Sequence, residues 1–551
     1  MKTLALLTLL AGSAYSYDLV VYGGTAGGVM AAISGARRGL STVLIEPGQH
    51  VGGMVTGGLS GTDVGKIEVI GGMALEFYWR AGRHYQVDRH LQQLAWMPEP
   101  GAGEQVMRQM LADAKVTLLT GHRLVEKKGV EKQGKRITAI RTENGARFEG
   151  KIFADCTYEG DLMAQAGVSY TYGREGRAQY GESLAGIQDH TENHNFPTDI
   201  SAYDSNGKLL PEISAAPRGN PGDADKRIQA YNFRVIATKV KENRVPWPKP
   251  ANYDPNRYAL LARYLKATAE YIGRPLTVNE VGLIRVIPNG KADLNNRGGF
   301  STDYIGKNYE YPEGSYSTRA RIWQDHIDYQ QGLYYFLAND PQVDPQTRAE
   351  WAEWGLAKDE FTDTNNWPNQ LYVREARRMV GDFVATQKDL QTELTKPDAI
   401  GMGSYNSDSH NVQRYATPEG IVLNEGNMEV PVKPYQIPYR VLTPKASEAE
   451  NLLVPVCFSA SHVVYSSMRM EPQYMILGHA AGIAAAQAIA KGTSVQNISI
   501  PDLQKTLIAE GGIFEQGLEI QNKALAKIRA NHDPIRPRTK APWARREPKK
   551  N

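Results

Sequence analysis

A glycine-rich turn between two apolar segments near the start of the chain constrains its fold more than any other feature. The run 17–22 (YDLVVY) has the length and composition of a buried strand, and the small, proline-free stretch 25–38 is typical of a helix. The turn GGTAGG joins them, and a second β-branched run, 41–45 (STVLI), follows. This order predicts a βαβ unit whose helix begins at a phosphate-binding turn.

Two details indicate a dinucleotide site rather than an ordinary glycine-rich loop. Against the pattern G-x-G-x-x-G, Gly23 and Gly28 match, and Thr25 replaces the second glycine, where its hydroxyl could reach a phosphate. Glu46 ends the second strand, at roughly the spacing of 20 residues expected for an acid that binds ribose hydroxyls. The sequence therefore predicts an α/β fold with a Rossmann-type domain.

The rest of the chain predicts that this domain is discontinuous. Segments that suit it are a helix over 104–114, a strand over 116–119, a hairpin over 136–141 and 147–153, a buried strand over 451–456 and a helix over 473–490. The intervening region is rich in Tyr, Trp, Asn, Pro and Gly, which predicts an inserted α+β substrate lobe. The predicted divisions are a signal peptide over 1–16, the nucleotide-binding domain over 17–169 and 435–500, the substrate lobe over 170–434, and a C-terminal helix with a basic tail over 501–551.

The first residues are typical of an export signal. Lys2 precedes the apolar run 4–11, and small residues end at Ser16, so the mature chain is expected to begin near Tyr17. The alternative is a native first element of the fold, but a complete strand already follows the proposed cleavage site. We therefore predict a secreted or periplasmic protein without an integral membrane segment, since no other apolar stretch is long enough to span a bilayer.

Several function classes find no support in the residues. The formal net charge of +3, from 63 basic and 60 acidic residues, gives no reason to expect nucleic acid as a partner. His190 and His194 have a metal-compatible spacing but lie in a polar loop without the H-E-x-x-H glutamate, so no metal site is predicted. There is no second glycine-rich βαβ unit for NAD(P)H. Cys156 and Cys457 are either buried thiols or a disulfide.

Four segments taken together resemble the FAD-dependent oxidoreductases of the glutathione-reductase-like superfamily. They are YDLVVYGGTAGGVMAA, VLIEPGQHVGGM, FADCTYEGDLMAQAG and NLLVPVCFSASHVVYSSMRMEPQYMILGHAAGIAAA. The nearest group is a set of exported bacterial oxidoreductases, some of which carry the label xanthan lyase although the chain offers no separate lyase motif. The resemblance runs from about residue 17 to about residue 490 and implies FAD as the cofactor. We expect non-covalent binding, with covalent attachment as the open alternative, since no linkage motif is evident.

The resemblance also implies which residues hold the cofactor. The turn would contact the pyrophosphate, Glu46 the ribose, and the second glycine pair the flavin side. Asp155 and Gly160 would lie near the cofactor, although Cys156 and Tyr158 depart from the D-A-T-G wording common in the family. The stretch from Ser459 to His462 and the helix after it would face the flavin ring. The implied cofactor residues are Gly23, Gly24, Thr25, Ala26, Gly27, Gly28, Glu46, Gly52, Gly53, Asp155, Gly160, Ser461 and Gly478.

Oxidation of an alcohol or amine by a flavin requires a base, and histidine suits neutral pH. His462 is the first candidate, with a structural role for the loop as the equal alternative. His410 is the second, with Asp408 as its orienting acid or a hydrogen-bonded turn as the alternative. Arg469 and Glu471 either bind substrate or fix the loop to the flavin.

Other arginines have weaker indications. Arg374, Arg377 and Arg378 lie in a segment predicted to be helical, where surface or interlobe ion pairs are expected, and Arg234 could point into the cleft from a strand.

The sequence thus predicts an FAD-dependent oxidoreductase that oxidises a small substrate and passes electrons to oxygen or another acceptor. Aromatic residues of the lobe, among them Tyr304, Trp323 and Trp351, suit sugar rings, so a carbohydrate is one candidate substrate, with plain packing as the alternative. The other hypotheses are a polysaccharide lyase on a flavin fold and a non-catalytic binding module.

Overall fold

The computed structural model describes residues 14–88, 90–91, 94–189 and 191–532. The strands are β1 (Ala14–Tyr22), β2 (Thr42–Ile45), β3 (Thr117–Leu119), β4 (Val130–Gln133), β5 (Arg136–Arg141), β6 (Arg147–Asp155), β7 (Tyr170–Thr171), β8 (Val235–Thr238), β9 (Arg244–Val245), β10 (Gly282–Ile287), β11 (Lys291–Asn296), β12 (Gly355–Ala357), β13 (Arg378–Met379), β14 (Ala399–Gly403), β15 (Ser407–Ser409), β16 (Gln413–Ala416), β17 (Val422–Glu425), β18 (Met428–Val430), β19 (Tyr435–Pro438) and β20 (Leu452–Leu453). The helices are α1 (Ala26–Ala36), α2 (Gly72–His84), α3 (Pro100–Asp113), α4 (Asp161–Gln165), α5 (Arg177–Tyr180), α6 (Ala259–Ile272), α7 (Val278–Val281), α8 (Tyr316–Asn339), α9 (Pro345–Glu353), α10 (Gln387–Gln391), α11 (His462–Met468), α12 (Glu471–Lys491), α13 (Ile500–Ala509) and α14 (Leu518–His532).

The predicted βαβ unit lies at the centre of the main sheet. Its strand order is β3-β2-β1-β6-β5-β4, with β20 also paired to β6. Strands β3, β2, β1, β6 and β20 are parallel, and the register places Tyr22 opposite both Ile45 and Asp155. The carboxyl ends of three neighbouring strands therefore meet at one edge, which is where ligands bind in open α/β sheets. This arrangement is consistent with the predicted Rossmann-type fold.

The predicted hairpin is present, but its second strand has two roles. Strand β5 pairs antiparallel with β6, which continues past the hairpin to pair in parallel with β1. Asn144 and Gly145 form the turn, where Gly145 has φ of +87°. Strand β4 was not predicted, because its residues (VEKQ) carry little apolar character.

Helices α1 and α12 pack tightly through small residues. A Cβ on Gly478 would overlap the main-chain oxygen of Gly27, and one on Gly482 would lie 2.5 Å from the oxygen of Ala31. The small-residue helix predicted over 473–490 is confirmed as α12, and its composition follows from this close approach.

The region between the two parts of the main sheet builds a second sheet. Its strand order is β10-β11-β8-β12-β9, and every pair in it is antiparallel. Val21 of β1, Val235 of β8 and Leu294 of β11 belong to one continuous cluster of buried apolar residues. An inserted lobe with boundaries at 170 and 434 stays a prediction, because the core runs through both sheets.

One local prediction is wrong, and a second is confirmed only in part. The segment that contains Arg374, Arg377 and Arg378 is extended, because these side chains reach separate buried or half-buried carboxylates on different sides. The strand predicted over 451–456 pairs only at Leu452 and Leu453, after which the chain turns toward α11.

Both ends of the chain extend beyond the described residues. Strand β1 begins at Ala14, three residues before the expected mature start, and pairs there with Arg147. Residues 1–13 and the basic tail lie outside the described ranges, so the signal peptide and export stay predictions. In the part of the chain that the structure describes, none of the helices combines the length and apolar character needed to cross a membrane.

Candidate functional site

The carboxyl ends of β1, β2 and β6 border a cleft of about 290 Å³. Gly23, Glu46 and Thr157 follow these strands and line it, together with Gly53. A second cavity of about 350 Å³ also has Thr157 in its wall, and Trp323 of α8 lines both. The residues predicted to bind the nucleotide and helix α8 thus border the same cleft.

The turn before α1 has the geometry of an anion-binding helix N-terminus. Thr25 caps the helix, since its hydroxyl donates to the carbonyl of Cys156 (2.7 Å) and accepts from the amide of Gly28 (3.2 Å). The amides of Ala26 and Gly27 are the ones that the start of a helix leaves without intrahelical acceptors. Thr25 therefore caps α1, and a contact between its hydroxyl and a phosphate stays a prediction.

Glu46 is fixed at the mouth of the cleft. Its carboxylate accepts from the amides of Gly24 (2.7 Å) and Gly48 (2.6 Å). Burial raises the pKa of Glu46 to about 7, against the effect of these two hydrogen bonds. The predicted ribose-binding acid is thus held by the glycine turn itself and by the loop that follows β2.

Tyr158 and Glu471 connect the second glycine pair to α12. The amide of Met54, next to Gly53, donates to the Tyr158 hydroxyl (2.9 Å), which donates to Glu471 (2.8 Å). Burial raises the pKa of Glu471 to about 8, so the carboxyl is largely protonated at neutral pH. Tyr158, where the sequence departs from D-A-T-G, therefore links the loop of the second glycine pair to the start of α12 through two hydrogen bonds.

Asp155 and Gly160 shape the loop that borders the cleft. Asp155 accepts from the hydroxyl of Thr157 (2.7 Å) and from the amide of Met163 (2.8 Å). Gly160, with φ of +70°, precedes α4. Both oxygens of Asp155 are thus engaged within the loop, while Thr157 lines the cleft. Gly478 lies at the contact between α1 and α12.

His410 forms a dyad with Asp303, an acid that the sequence analysis missed. Its Nδ1 lies 2.7 Å from Asp303, which also pairs with Arg374 at 2.9 Å. Burial opposes ionisation of Asp303, but Arg374 and His410 outweigh it and hold the pKa of the carboxyl well below its usual range. An ionised carboxylate accepts only, so Nδ1 carries the proton and Nε2 keeps its lone pair. Asp408, the predicted orienting acid, lies 3.8 Å from Nε2.

His462 is more deeply buried and has a similar partner. Its Nδ1 lies 2.8 Å from Glu375, and burial lowers the pKa of the imidazole to about 3. Ser461 caps α11 at the amide of Val464 and donates to Glu182 (2.6 Å). These contacts favour the structural alternative for His462, and a catalytic role stays a prediction.

The two candidate histidines belong to one hydrogen-bonded chain. The Gln229 amide donates to Glu375 (2.9 Å), and its oxygen accepts from the amide of His410 (3.2 Å). Glu375 also pairs with Arg378, and both side chains are fully buried. The segment from 374 to 378 therefore positions both histidines, which its sequence alone did not indicate.

Replacing Glu375 with Gln is expected to destabilise the protein by about 3 kcal/mol, because it leaves the buried Arg378 without one of its two carboxylate partners. Urea unfolding of the purified variants measures the change. Glu353→Gln is the matched control, since Glu353 pairs with Lys239 at the surface and should show no measurable loss. Equal stability of the two variants would contradict the role assigned to Glu375.

The N-terminus of α12 presents buried polar atoms that lack a partner. Arg469 donates to the hydroxyl of Tyr372 (2.9 Å) and to the main-chain oxygen of Asp408 (2.8 Å). Among the residues that the structure describes, no hydrogen-bond partner is found for Arg469 Nε, Glu471 Oε2 or Gln473 Oε1. Buried polar atoms in folded proteins usually bond to protein or to an ordered water, so a water or another molecule at this position would satisfy them.

The described residues contain no group suited to a metal ion and no disulfide. His190 lies outside the described residues, so the His190–His194 pair is not placed. Among the residues that are described, no group of three or more His, Cys, Asp or Glu side chains could hold a metal ion. Cys156 and Cys457 are free, buried thiols, which answers the disulfide question left open by the sequence.

Arg234, weakly predicted to point into the cleft, is buried in an ion pair with Asp293 (2.8 Å). The aromatic residues also pack mainly against one another: the ring of Tyr304 stacks on Tyr329 at 4.0 Å, and Trp351 packs against Tyr334. Trp323 is the member of that predicted set that lines the cleft.

The sequence matches the family model described as FAD dependent oxidoreductase over residues 18–507. A search of curated proteins finds no match.

The solved structures that match this chain share little sequence with it, and their TM-scores are low. A geranylgeranyl bacteriochlorophyll reductase-like protein from Thermoplasma acidophilum is 11% identical over 95% of this chain and 100% of its own, with a TM-score of 0.35. OxyS anhydrotetracycline hydroxylase from Streptomyces rimosus is 14% identical, with a TM-score of 0.22, over 32% of this chain and 41% of the hydroxylase. A flavin-containing monooxygenase from Stenotrophomonas maltophilia is 17% identical over 30% of this chain and 44% of its own, with a TM-score of 0.18.

Proposed function

Because the chain belongs to the family of FAD-dependent oxidoreductases, we propose that it oxidises the hydroxyl group of a small substrate, with His410 as the base. The observation that carries this proposal is the dyad of His410 and Asp303, which leaves Nε2 of a largely buried imidazole, 14% exposed, free to accept a proton. His462 is too acidic as an imidazolium to serve efficiently near neutral pH.

The residues present fit FAD. The N-terminus of α1 offers the amides of Ala26 and Gly27 to a pyrophosphate, and Glu46 at the end of β2 suits a ribose. Glu471 and Gln473 have unpartnered buried oxygens at the start of α12, where polar groups of a cofactor could bond to them. When bound, FAD accepts a hydride from the substrate.

Each side chain then has a role in the oxidation of an alcohol. Asp303 holds the Nδ1–H of His410 and so directs Nε2 toward the substrate hydroxyl. Arg374 keeps Asp303 ionised, and Gln229 fixes the backbone of His410. The hydroxyl proton moves to Nε2 while the carbinol hydrogen leaves as hydride.

We further propose that the natural substrate is met outside the cytoplasm, as the signal peptide predicted over 1–16 implies. Carbohydrates and other alcohols are the candidate substrates, with oxygen or another acceptor receiving the electrons. The packing of the lobe aromatics against one another weakens the specific argument for a sugar ring.

The visible spectrum of the purified protein, before and after denaturation, tests the proposal. Flavin bands that release free FAD, and that bleach anaerobically with an alcohol, would support it. A colourless protein that cannot be reconstituted would contradict it. An unsaturated product formed without bleaching would indicate a lyase instead.

Protonation of His410 should lower kcat/KM, and this effect should disappear once the pH exceeds the pKa of His410. Burial, followed by the positive charge of Arg374, lowers the pKa of His410 below the ordinary imidazole value near 6.5. The base must be neutral, so the fall in kcat/KM that protonation of His410 causes should be centred below about pH 6.5. An acidic limb centred above pH 7 in steady-state assays would exclude His410.

A further inference from the structure

Arg469 is a buried cation without a carboxylate partner in the described part of the chain. Its side chain is only 3% exposed, and its two terminal nitrogens donate to neutral oxygens of Tyr372 and Asp408. Its Nε–H finds no acceptor within the described ranges. Buried charges in proteins are normally paired, because removal from water is costly, so this guanidinium is suited to an incoming anion.

The acids nearest to Arg469 are engaged elsewhere or uncharged. The carboxylate of Asp408 accepts from the Tyr405 hydroxyl (3.0 Å) and faces His410, so only its main-chain oxygen meets the arginine. Burial raises the pKa of Glu471 to about 8, which leaves it largely neutral at pH 7. Arg374, by contrast, is paired with Asp303, whereas the hydrogen bonds of Arg469 in the described part of the chain go to neutral oxygens.

The surroundings of Arg469 suit a carboxylate next to an oxidisable hydroxyl. The Tyr372 hydroxyl accepts from Arg469 and can therefore donate its own proton to an anion beside the guanidinium. Asp408 lies between Arg469 and His410. Its main-chain oxygen accepts from Arg469, and its carboxylate faces Nε2 of His410. A ligand held by the arginine would thus lie close to the proposed base.

We propose that Arg469 binds the carboxylate of the substrate, so that the protein oxidises a small hydroxy acid. This inference rests on the proposed function and adds the substrate class. In the reaction, the hydroxyl proton passes to His410, the carbinol carbon gives its hydrogen with two electrons to FAD, and the C–OH group becomes C=O. The product is an oxo acid, and the carboxylate on Arg469 is unchanged.

Ligand titrations of the FAD-loaded protein under anaerobic conditions test this assignment. The probes are three hydroxy acids and their uncharged amides: glycolate and glycolamide, lactate and lactamide, mandelate and mandelamide. We expect at least one acid to perturb the flavin spectrum with a Kd at least about 10-fold below that of its amide. Arg469→Gln should weaken binding of that acid at least about 10-fold and leave the amide nearly unchanged, while Arg469→Lys should lie between.

Arg321→Gln is the matched control, because Arg321 is an exposed arginine on α8 paired with Glu310, and it should behave as the unchanged protein. Equal affinity for acid and amide in every pair, or no response to any acid, would overturn the proposal. If Arg469→Gln fails to fold, the acid and amide pairs on the unchanged protein decide alone. A protein that holds no flavin would instead contradict the proposed function.

Discussion

Replacing His410 with Asn is expected to lower kcat by about 100- to 10,000-fold while FAD stays bound, the range lost when a general base is removed. The substitution is chosen for its geometry. The Asn amide can still donate to Asp303, as Nδ1–H does at 2.7 Å, but it offers no acceptor in the place of Nε2. The buried pair of Asp303 with Arg374 is therefore preserved, and a fall in rate reports the missing base.

Anaerobic stopped-flow reduction of the bound flavin measures this step directly. His84→Gln is the control, because His84 is exposed at the end of α2 and should leave the rate unchanged. Added imidazole should restore part of the lost rate at alkaline pH and much less at acid pH, since only the neutral form accepts a proton. A His410→Asn variant that reduces its flavin at the normal rate would remove His410 from the mechanism and return His462 to first place.

The difference between these two histidines shows what sequence reasoning lacks. Both lie beside small polar residues, and His462 was ranked first because the family resemblance places its segment beside the flavin ring. Their partners come from distant positions: Asp303 for His410 and Glu375 for His462. No fixed spacing links such pairs, because they are brought together by tertiary packing. The buried environment that lowers the pKa of His462 to about 3 is likewise a property of the packed protein.

The cofactor end was more predictable for a physical reason. The turn after β1, the helix α1 and Glu46 are neighbours in sequence, and a pyrophosphate places the same demands on backbone approach wherever it binds at a helix N-terminus. The role of Thr25 was harder to predict, because its hydroxyl donates to the carbonyl of Cys156, which follows β6 and is distant in sequence. The local sequence pattern thus predicted the strand, the turn and the helix. The contacts of individual side chains depend on residues that are distant in sequence.

Replacing Gly28 with Ala is expected to weaken FAD binding at least about 100-fold. Gly28 is in the first turn of α1, and a Cβ there would overlap the carbonyl oxygen of Gly23 and lie 3.0 Å from Cβ of Cys156. A methyl group has no room, so the turn must move away from the helix, with an overpacking cost of about 1–3 kcal/mol. That movement displaces the amides of Ala26 and Gly27 from the position in which they meet the pyrophosphate together.

The ratio of flavin to protein absorbance after purification, followed by titration of the apoprotein with FAD, measures the loss. Gly103→Ala is a matched helical control: its Cβ would lie 3.6 Å from the nearest atom, an ordinary contact, so this variant should bind FAD normally. Alanine also favours a helix over glycine by about 1 kcal/mol, and both variants receive that benefit equally. A folded Gly28→Ala protein that binds FAD like the control would therefore mean that the pyrophosphate does not depend on this turn.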